Sequence, residues 1–327
     1  MDRRSFLRIG LSAPLATGIA GAARAQSALP EIVFLGLATQ EADQPQLGAF
    51  LGGMKEQGLV DGQTYRLVEF HARGDAGAAQ RFIAEMVARK IAVFLSPGPA
   101  VARLLVRSTT LPVVSVGLPS VPGDLFATVA RPGGNLTGFS WFGQELSAKR
   151  IELVREVLPG LSSIGILHTV TDPVYRDWGI QTETSAREQG LRPTRLGLTS
   201  SNPDEIVRLM SDYAAQGGQA VFVVYDFLTR STQDTIIALG DKLSLAVISE
   251  VRSFVEAGAL MSYGADTLDL FRRSAGYVAR ILKGEAPGNL PVQFPTKVEF
   301  LLNLRTARRL GIPLKETLIA RADDIVD

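Results

Sequence analysis

Residues 254–264 read FVEAGALMSYG, and their place in the chain decides how the rest is assembled. The run Ala259-Leu260-Met261-Ser262-Tyr263 is β-like and lies between two glycines, Gly258 and Gly264. Two long blocks of alternating strand and helix patterns precede it. One more long helix pattern and a short tail follow. A strand at such a break is expected where the chain crosses back from a second lobe to a first. Crossings of that kind lie beside a cleft, so Tyr263 is expected to hydrogen-bond or stack on a ligand there.

Upstream, the apolar runs at 31–38, 91–95, 112–116, 164–168, 220–225 and 245–249 are the mark of strands buried on both faces. Residues 64–70 and 192–198 complete the strand set. Helix patterns separate them. One is expected to open at Pro45 and to bury Leu47, Phe50, Leu51 and Met54; others cover 75–90, 147–158, 172–189, 203–216 and 232–242. A Gly/Pro-rich segment, 117–138, interrupts the alternation, and 137–142 is expected to be a strand at a first crossing. Downstream, 266–283 is strongly amphipathic and closes at Gly284. Residues 287–295 carry three prolines, which suits a linker at a hinge rather than a central strand. A strand at 298–304, a short helix at 306–310 and a surface tail end the chain.

Strand–helix alternation means parallel sheets with helices on both faces. The expected fold class is therefore α/β, with two Rossmann-like lobes joined by a hinge of several crossings. The expected division is 30–138 plus 264–294 for the N-terminal lobe, and 139–263 plus 295–327 for the C-terminal lobe. Ligands of such sheets sit beyond the carboxyl ends of the strands. That rule selects the ligand candidates. Thr39 and Gln40 offer hydrogen bonds after the first strand. Ser96, Gly98, Pro99 and Ala100 form a strand-to-helix turn whose hydroxyl and free N–H groups suit a carboxylate. Gly117 and Leu118 form the next turn. In the second lobe Thr169, Asp172, Tyr225, Asp226 and Glu250 offer hydroxyls and acids, the acids for a ligand ammonium or for capping the following helix. Trp141 and Phe142 at the first crossing stack on a flat ligand or pack the hinge.

The bulk numbers bound the class. The 327 residues suggest two domains. A composition 46% hydrophobic and 20% charged can build a real core, and a net charge of +1 gives no field for nucleic acid. The chain has no cysteine, which excludes disulfides, thiolate metal sites, a cysteine nucleophile and an acylated-cysteine anchor. The N-terminal Asp2-Arg3-Arg4-Ser5-Phe6-Leu7-Arg8, a mildly apolar run and Ala23-Arg24-Ala25 are ordered as in a cleaved export signal, residues 1–25, with twin arginines. Its removal takes away four arginines and one aspartate, so the charge falls from +1 to −2. Export to the periplasm is the expectation. Catalytic patterns are absent. His71 and His168 are far apart and expected to be structural. Gly138-Phe-Ser140-Trp-Phe142 lacks the second glycine of a nucleophile elbow, and Met54 displaces the lysine of a phosphate loop in 48–55. No metal, no cofactor and no catalytic residue are expected.

Several segments together resemble a known family: Ala130-Arg-Pro-Gly-Gly-Asn-Leu-Thr-Gly138, Glu145-Leu-Ser-Ala-Lys-Arg150 with Glu152-Leu153, residues 254–264, Pro295-Thr-Lys297 with Asn303-Leu304, and Ala320-Arg-Ala-Asp323. The chain resembles bacterial ABC-transporter substrate-binding proteins of the type I periplasmic-binding fold, the family that includes tryptophan and tyrosine receptors. The resemblance implies capture of one small organic ligand, such as an aromatic amino acid or related carboxylate, by a monomer that delivers it to an inner-membrane permease. The alternative is a receptor that presents its ligand to a membrane kinase or chemoreceptor. Two turns depart from the family pattern, Gly117-Leu118-Pro119 and 169–173, and both belong to the expected cleft.

Overall fold

The computed structural model describes residues 29–141 and 145–327. The expected export signal, residues 1–25, and Phe142 lie outside the described residues.

Two sheets organise the chain. The first holds β1 (Glu31–Gly36), β2 (Arg66–His71), β3 (Val93–Pro97), β4 (Val113–Leu118) and β5 (Leu136–Ser140), in the order 2-1-3-4-5 and all parallel. Its connecting helices are α1 (Gln40–Glu56), α2 (Ala76–Ala88) and α3 (Pro99–Ser108). The chain then continues with α4 (Ser147–Val157), β6 (Ser163–Thr169), α5 (Pro173–Glu188), β7 (Arg192–Leu198), α6 (Pro203–Ala215) and β8 (Ala220–Val223). After these come α7 (Phe227–Ser231), α8 (Gln233–Lys242), β9 (Ala246–Ser249), α9 (Arg252–Ala257) and β10 (Met261–Ala265). Strands β7-β6-β8-β9-β10 repeat the first sheet's order in a second sheet. This repetition is what right-handed crossovers on a doubly wound sheet produce twice over.

Helix α10 (Thr267–Leu282) leaves the second sheet and packs on α1 of the first lobe. The contact is close at Gly53, where a Cβ would lie 2.0 Å from the Arg272 carbonyl oxygen. The chain then returns as β11 (Val298–Asn303), antiparallel to β10. Helices α11 (Leu304–Arg309) and α12 (Glu316–Ile319) follow, and β12 (Asp324–Val326) pairs with β11.

The chain therefore passes between the lobes three times, and the passages are tied together. The Ser140 N–H donates to the Gln293 carbonyl at 2.8 Å, and the Gln293 N–H to Gly138 at 2.9 Å. Arg273 of α10 donates to Gln293 Oε1 at 2.6 Å. Residues 287–295 thus lie along the edge strand β5 after a 3-10 turn, Pro287–Asn289, which suits their prolines.

Several expected boundaries shift for local reasons. Helix α1 opens at Gln40, five residues before Pro45, because the Thr39 hydroxyl accepts from the Ala42 N–H and caps the first turn. The helix expected at 232–242 is preceded by the separate five-residue α7, which Asp226 caps. Residues 254–257 finish the short helix α9, and Gly258 closes it at φ 128°. Strand β10 runs through Ala265, so the crossing follows the opening stretch instead of lying within it. Helix α11 begins at Leu304 because the Asn303 side chain caps it. The tail expected as plain surface contributes β12, which covers the edge of the second sheet.

Candidate ligand-binding cleft

The carboxyl ends of β1, β3 and β4 meet those of β6, β8 and β9 across a seam, and three kinds of contact fill it.

The first is aromatic. Trp141, at the hinge, packs edge-on to Tyr225 with ring centroids 5.8 Å apart, and lies 6.4 Å from Trp178 of α5. Tyr175, one turn earlier on α5, meets Phe227 at 6.0 Å. Gly117 admits the indole: it has φ 101°, and a Cβ there would stand 2.6 Å from the Trp141 ring. Only a void of about 20 Å³ remains beside it, edged by Pro99, Gly117, Leu118 and Trp178.

The second is a buried charge clasp. Asp43 of α1 is wholly buried, accepts from His71 Nδ1 at 2.8 Å, and pairs with Arg230 of α7 in the other lobe. Gly36 makes room, since a Cβ there would lie 2.0 Å from the Asp43 carboxylate. The Gln46 amide is oriented by its neighbours. Its oxygen accepts from the Tyr225 hydroxyl at 2.7 Å and from Arg230 at 3.2 Å, while its nitrogen donates to the Ala42 and Asp43 carbonyls. Burial would lower the His71 pKa, but Asp43 and Glu69 outweigh it and hold the imidazole above its ordinary value. Burial likewise opposes the Arg230 charge, and Asp43 outweighs that too.

The third is a cavity of about 520 Å³ on the side of α1, α8 and the start of α10. Thr39, Gln46, Tyr225 and Arg230 form its inner wall; Asp234, Thr235, Ser253 and Asp266 lie towards its mouth.

The residues selected from sequence divide among these places. Thr39 and Tyr225 border the large cavity, and the Thr39 N–H donates to Ser231 of the opposite lobe at 3.1 Å. Pro99, Gly117 and Leu118 edge the small void. Gln40 is exposed on α1, and Tyr263 is half-buried on β10, where its carbonyl accepts from Arg150 at 2.6 Å; neither side chain borders a cavity. Ser96 is fully buried and its Oγ has no partner. The Gly98 N–H is used by the Val116 carbonyl at 2.6 Å, and the Tyr175 hydroxyl stands 2.6 Å from where a Gly98 Cβ would be. In this conformation the start of α3, with Ala100 buried, is therefore covered by the opposite lobe.

The acids are mostly caps. Asp172 accepts from Val174 and Tyr175 N–H, and lies 3.6 Å from Arg103 across the seam. Asp226 accepts from the N–H groups of Thr169, Leu228 and Thr229. Burial raises its pKa against those three bonds. Glu250 differs: it is buried, and its Oε1 has no partner. Burial pushes its pKa up to about 8, with Arg150 opposing and Asp226 adding to the rise. Arg150 is itself pulled below its ordinary value by burial.

Among the described residues, unpartnered buried polar atoms gather around this seam. Ser96 Oγ, Ser120 Oγ, Thr169 Oγ1, Ser249 Oγ and Glu250 Oε1 come from strand ends or the loops after them. Trp178 Nε1 and Arg230 Nε come from the helices that follow. Buried polar atoms are normally satisfied, so among the described residues the seam is the least satisfied part of the interior. His168 is the outlier, packed over Gly179 on the far face of its strand.

Sequence reasoning passed over Asp43, Gln46 and Arg230. A signal existed for two of them: Asp43 and Gln46 continue the spacing of Leu47, Phe50 and Met54 toward the helix start, which places polar side chains on the buried stripe.

Comparison with known proteins fits this geometry. A family model described as ABC transporter substrate binding protein matches residues 39–326. The chain belongs to that family. A tyrosine-binding protein of Clostridioides difficile is 20% identical over 266 residues, 80% of this chain and 75% of its own. A crystal structure of a conserved domain protein from Vibrio cholerae matches with a TM-score of 0.83 at 24% identity, over 90% of this chain and 99% of that one. A Streptococcus pneumoniae ABC domain in complex with L-Trp also gives 0.83, at 20% identity over 91% and 100%. The shared architecture is the type I periplasmic-binding fold, as the family resemblance implies, with the two α/β lobes expected from the alternating pattern. Among the described residues no helix is long and apolar enough to cross a membrane.

Proposed function

We propose that this family member is an exported solute receptor that closes its lobes around one small organic ligand and delivers it to an inner-membrane ABC permease. The observation that carries the reading is a cavity of about 520 Å³ lined from both lobes, by Thr39 and Gln46 on one side and by Tyr225 and Arg230 on the other. A group donated by a ligand there bonds to both lobes at once, so binding favours the closed form over the open one. The relatives' ligands, tyrosine and tryptophan, make an amino acid or related carboxylate the first class to test. Thr39, Gln46, Tyr225 and Arg230, on the inner wall of the cavity of about 520 Å³, are the proposed polar contacts. Asp226 and Asp172 serve the helices they cap. Residues 1–25 direct export to the periplasm, where the receptor acts as a monomer.

The test is a thermal-unfolding screen of the purified protein against amino acids, small carboxylates and sugars. A ligand present at about 100 times its Kd stabilises the fold by about 2.7 kcal/mol, a plain rise in midpoint. If no solute of these classes raises the midpoint, the receptor reading fails.

A further inference from the structure

The two sides of the seam offer a ligand very different surroundings. On the aromatic side Trp141, Tyr175, Trp178 and Tyr225 pack on one another and leave about 20 Å³. On the other side the cavity holds about 520 Å³, enough for a solute of amino-acid to sugar size. Its walls carry no free aromatic face. The one ring present, Tyr225, is covered edge-on by Trp141 and Phe254, and its hydroxyl is engaged by Gln46. Hydroxyls and amides, such as Thr232, Thr235, Ser253, Thr267 and Gln233, supply hydrogen bonds instead.

The charges are unbalanced. Four carboxylates border the cavity, Glu41, Asp234, Glu256 and Asp266, against two guanidiniums, Arg230 and Arg252. Both guanidiniums are already matched by acids outside the cavity. Arg230 is paired with Asp43, and Arg252 reaches Asp324 at 2.6 Å and Glu299 at 3.3 Å. Glu41, Asp234 and Asp266 have no ion-pair partner among the described residues. Carboxylates thus outnumber guanidiniums on the wall, although Arg73 and His71 lie near Glu41 and Arg252 lies 3.8 Å from Glu256. One donor points the other way: Arg230 Nε is unpartnered, on a side chain only 8% exposed. It needs an acceptor oxygen.

We propose that this cavity is the main ligand chamber and that its ligand is a hydrophilic, amine-bearing solute. The protonated amine meets Glu41 and Asp234, and a hydroxyl or carboxylate oxygen meets Arg230. This rests on the receptor reading above and narrows its ligand class away from solutes with an apolar aromatic body.

The experiment is calorimetric titration of the full chain with paired probes: glucosamine against glucose, L-serine against L-glycerate, and L-tryptophan alone. At least one amine-bearing polar probe is expected to bind ten-fold or more tightly than its counterpart and than tryptophan. Glu41→Gln and Asp234→Asn are each expected to weaken that binding three- to ten-fold without moving the unliganded midpoint, since both side chains are exposed. Tryptophan binding that both variants leave unchanged overturns the chamber assignment and leaves the receptor reading standing. Equal binding within both pairs, of glucosamine with glucose and of serine with glycerate, overturns the amine assignment alone. If no probe binds, the chamber assignment falls; the broad solute screen then decides the receptor reading separately.

Discussion

The aromatic side of the seam and the polar side are built from the same kind of position, the loop after a parallel strand, yet they do opposite things. Around Trp141 the loops have closed on each other, with Gly117 and Gly98 giving up side chains so that rings from the far lobe fit. Around Asp234 and Thr235 the walls stay apart and the side chains face water. A strand-end loop is therefore a candidate for contact of any kind. Burial and partners decide whether the contact is packing or recognition.

Three substitutions sharpen that division. The largest effect is expected from Trp141→Ala. The indole is 8% exposed and wedged between lobes, so its removal costs about 4 kcal/mol in chemical denaturation. A loss below about 1 kcal/mol would show that the aromatic side is not a packed interface. Next, Asp43→Ala leaves Arg230 buried without its countercharge, at about 3 kcal/mol. The same variant loosens the closed form, measurable as a larger radius of gyration in solution scattering. An unchanged radius would mean that the clasp does not hold the lobes.

The third effect concerns Glu250 and is read as a slope against pH. Its folded pKa, about 8, lies above the unfolded carboxylate value. The folded state therefore holds the proton more tightly, and this contribution is full at low pH and lost as pH rises toward 8. The slope is at most about 1.4 kcal/mol per pH unit. Glu250→Gln is expected to flatten the midpoint-versus-pH curve between about 4.5 and 8. A variant with the wild-type slope would place the titration on another group.

Much of this fold is legible in the residues themselves. Apolar runs such as 31–36 and 220–223 can only be strands buried on both faces, and β7 begins and ends where the pattern does. Pro45 misleads, because a cap at Thr39 lies upstream of it and the helix tolerates the proline in its second turn. The site is less legible. Asp43 and Arg230 are 187 residues apart, so neither local pattern carries news of the other. Ser96 satisfies the strand-end rule and Tyr263 the expectation of a crossing, but only packing reveals that the Ser96 hydroxyl is enclosed and that Tyr263 lines neither of the two cavities described. Conversely, Asp234 and Thr235 look like ordinary helix-start residues until a cavity is seen beside them.

The tied passages between the lobes have a mechanical meaning. Only Asp266 stands between β10 and α10, and Gln293 is bonded both to β5 and to Arg273 of α10. Three short tethers clamped side by side behave as the pin of a door, not as a ball joint. Twist and slide between the lobes would stretch one tether against another, whereas swinging bends all three alike. Opening is thereby confined to nearly one degree of freedom. Each closing thus retraces the arc of the opening before it and brings the two faces of the seam back into the same register.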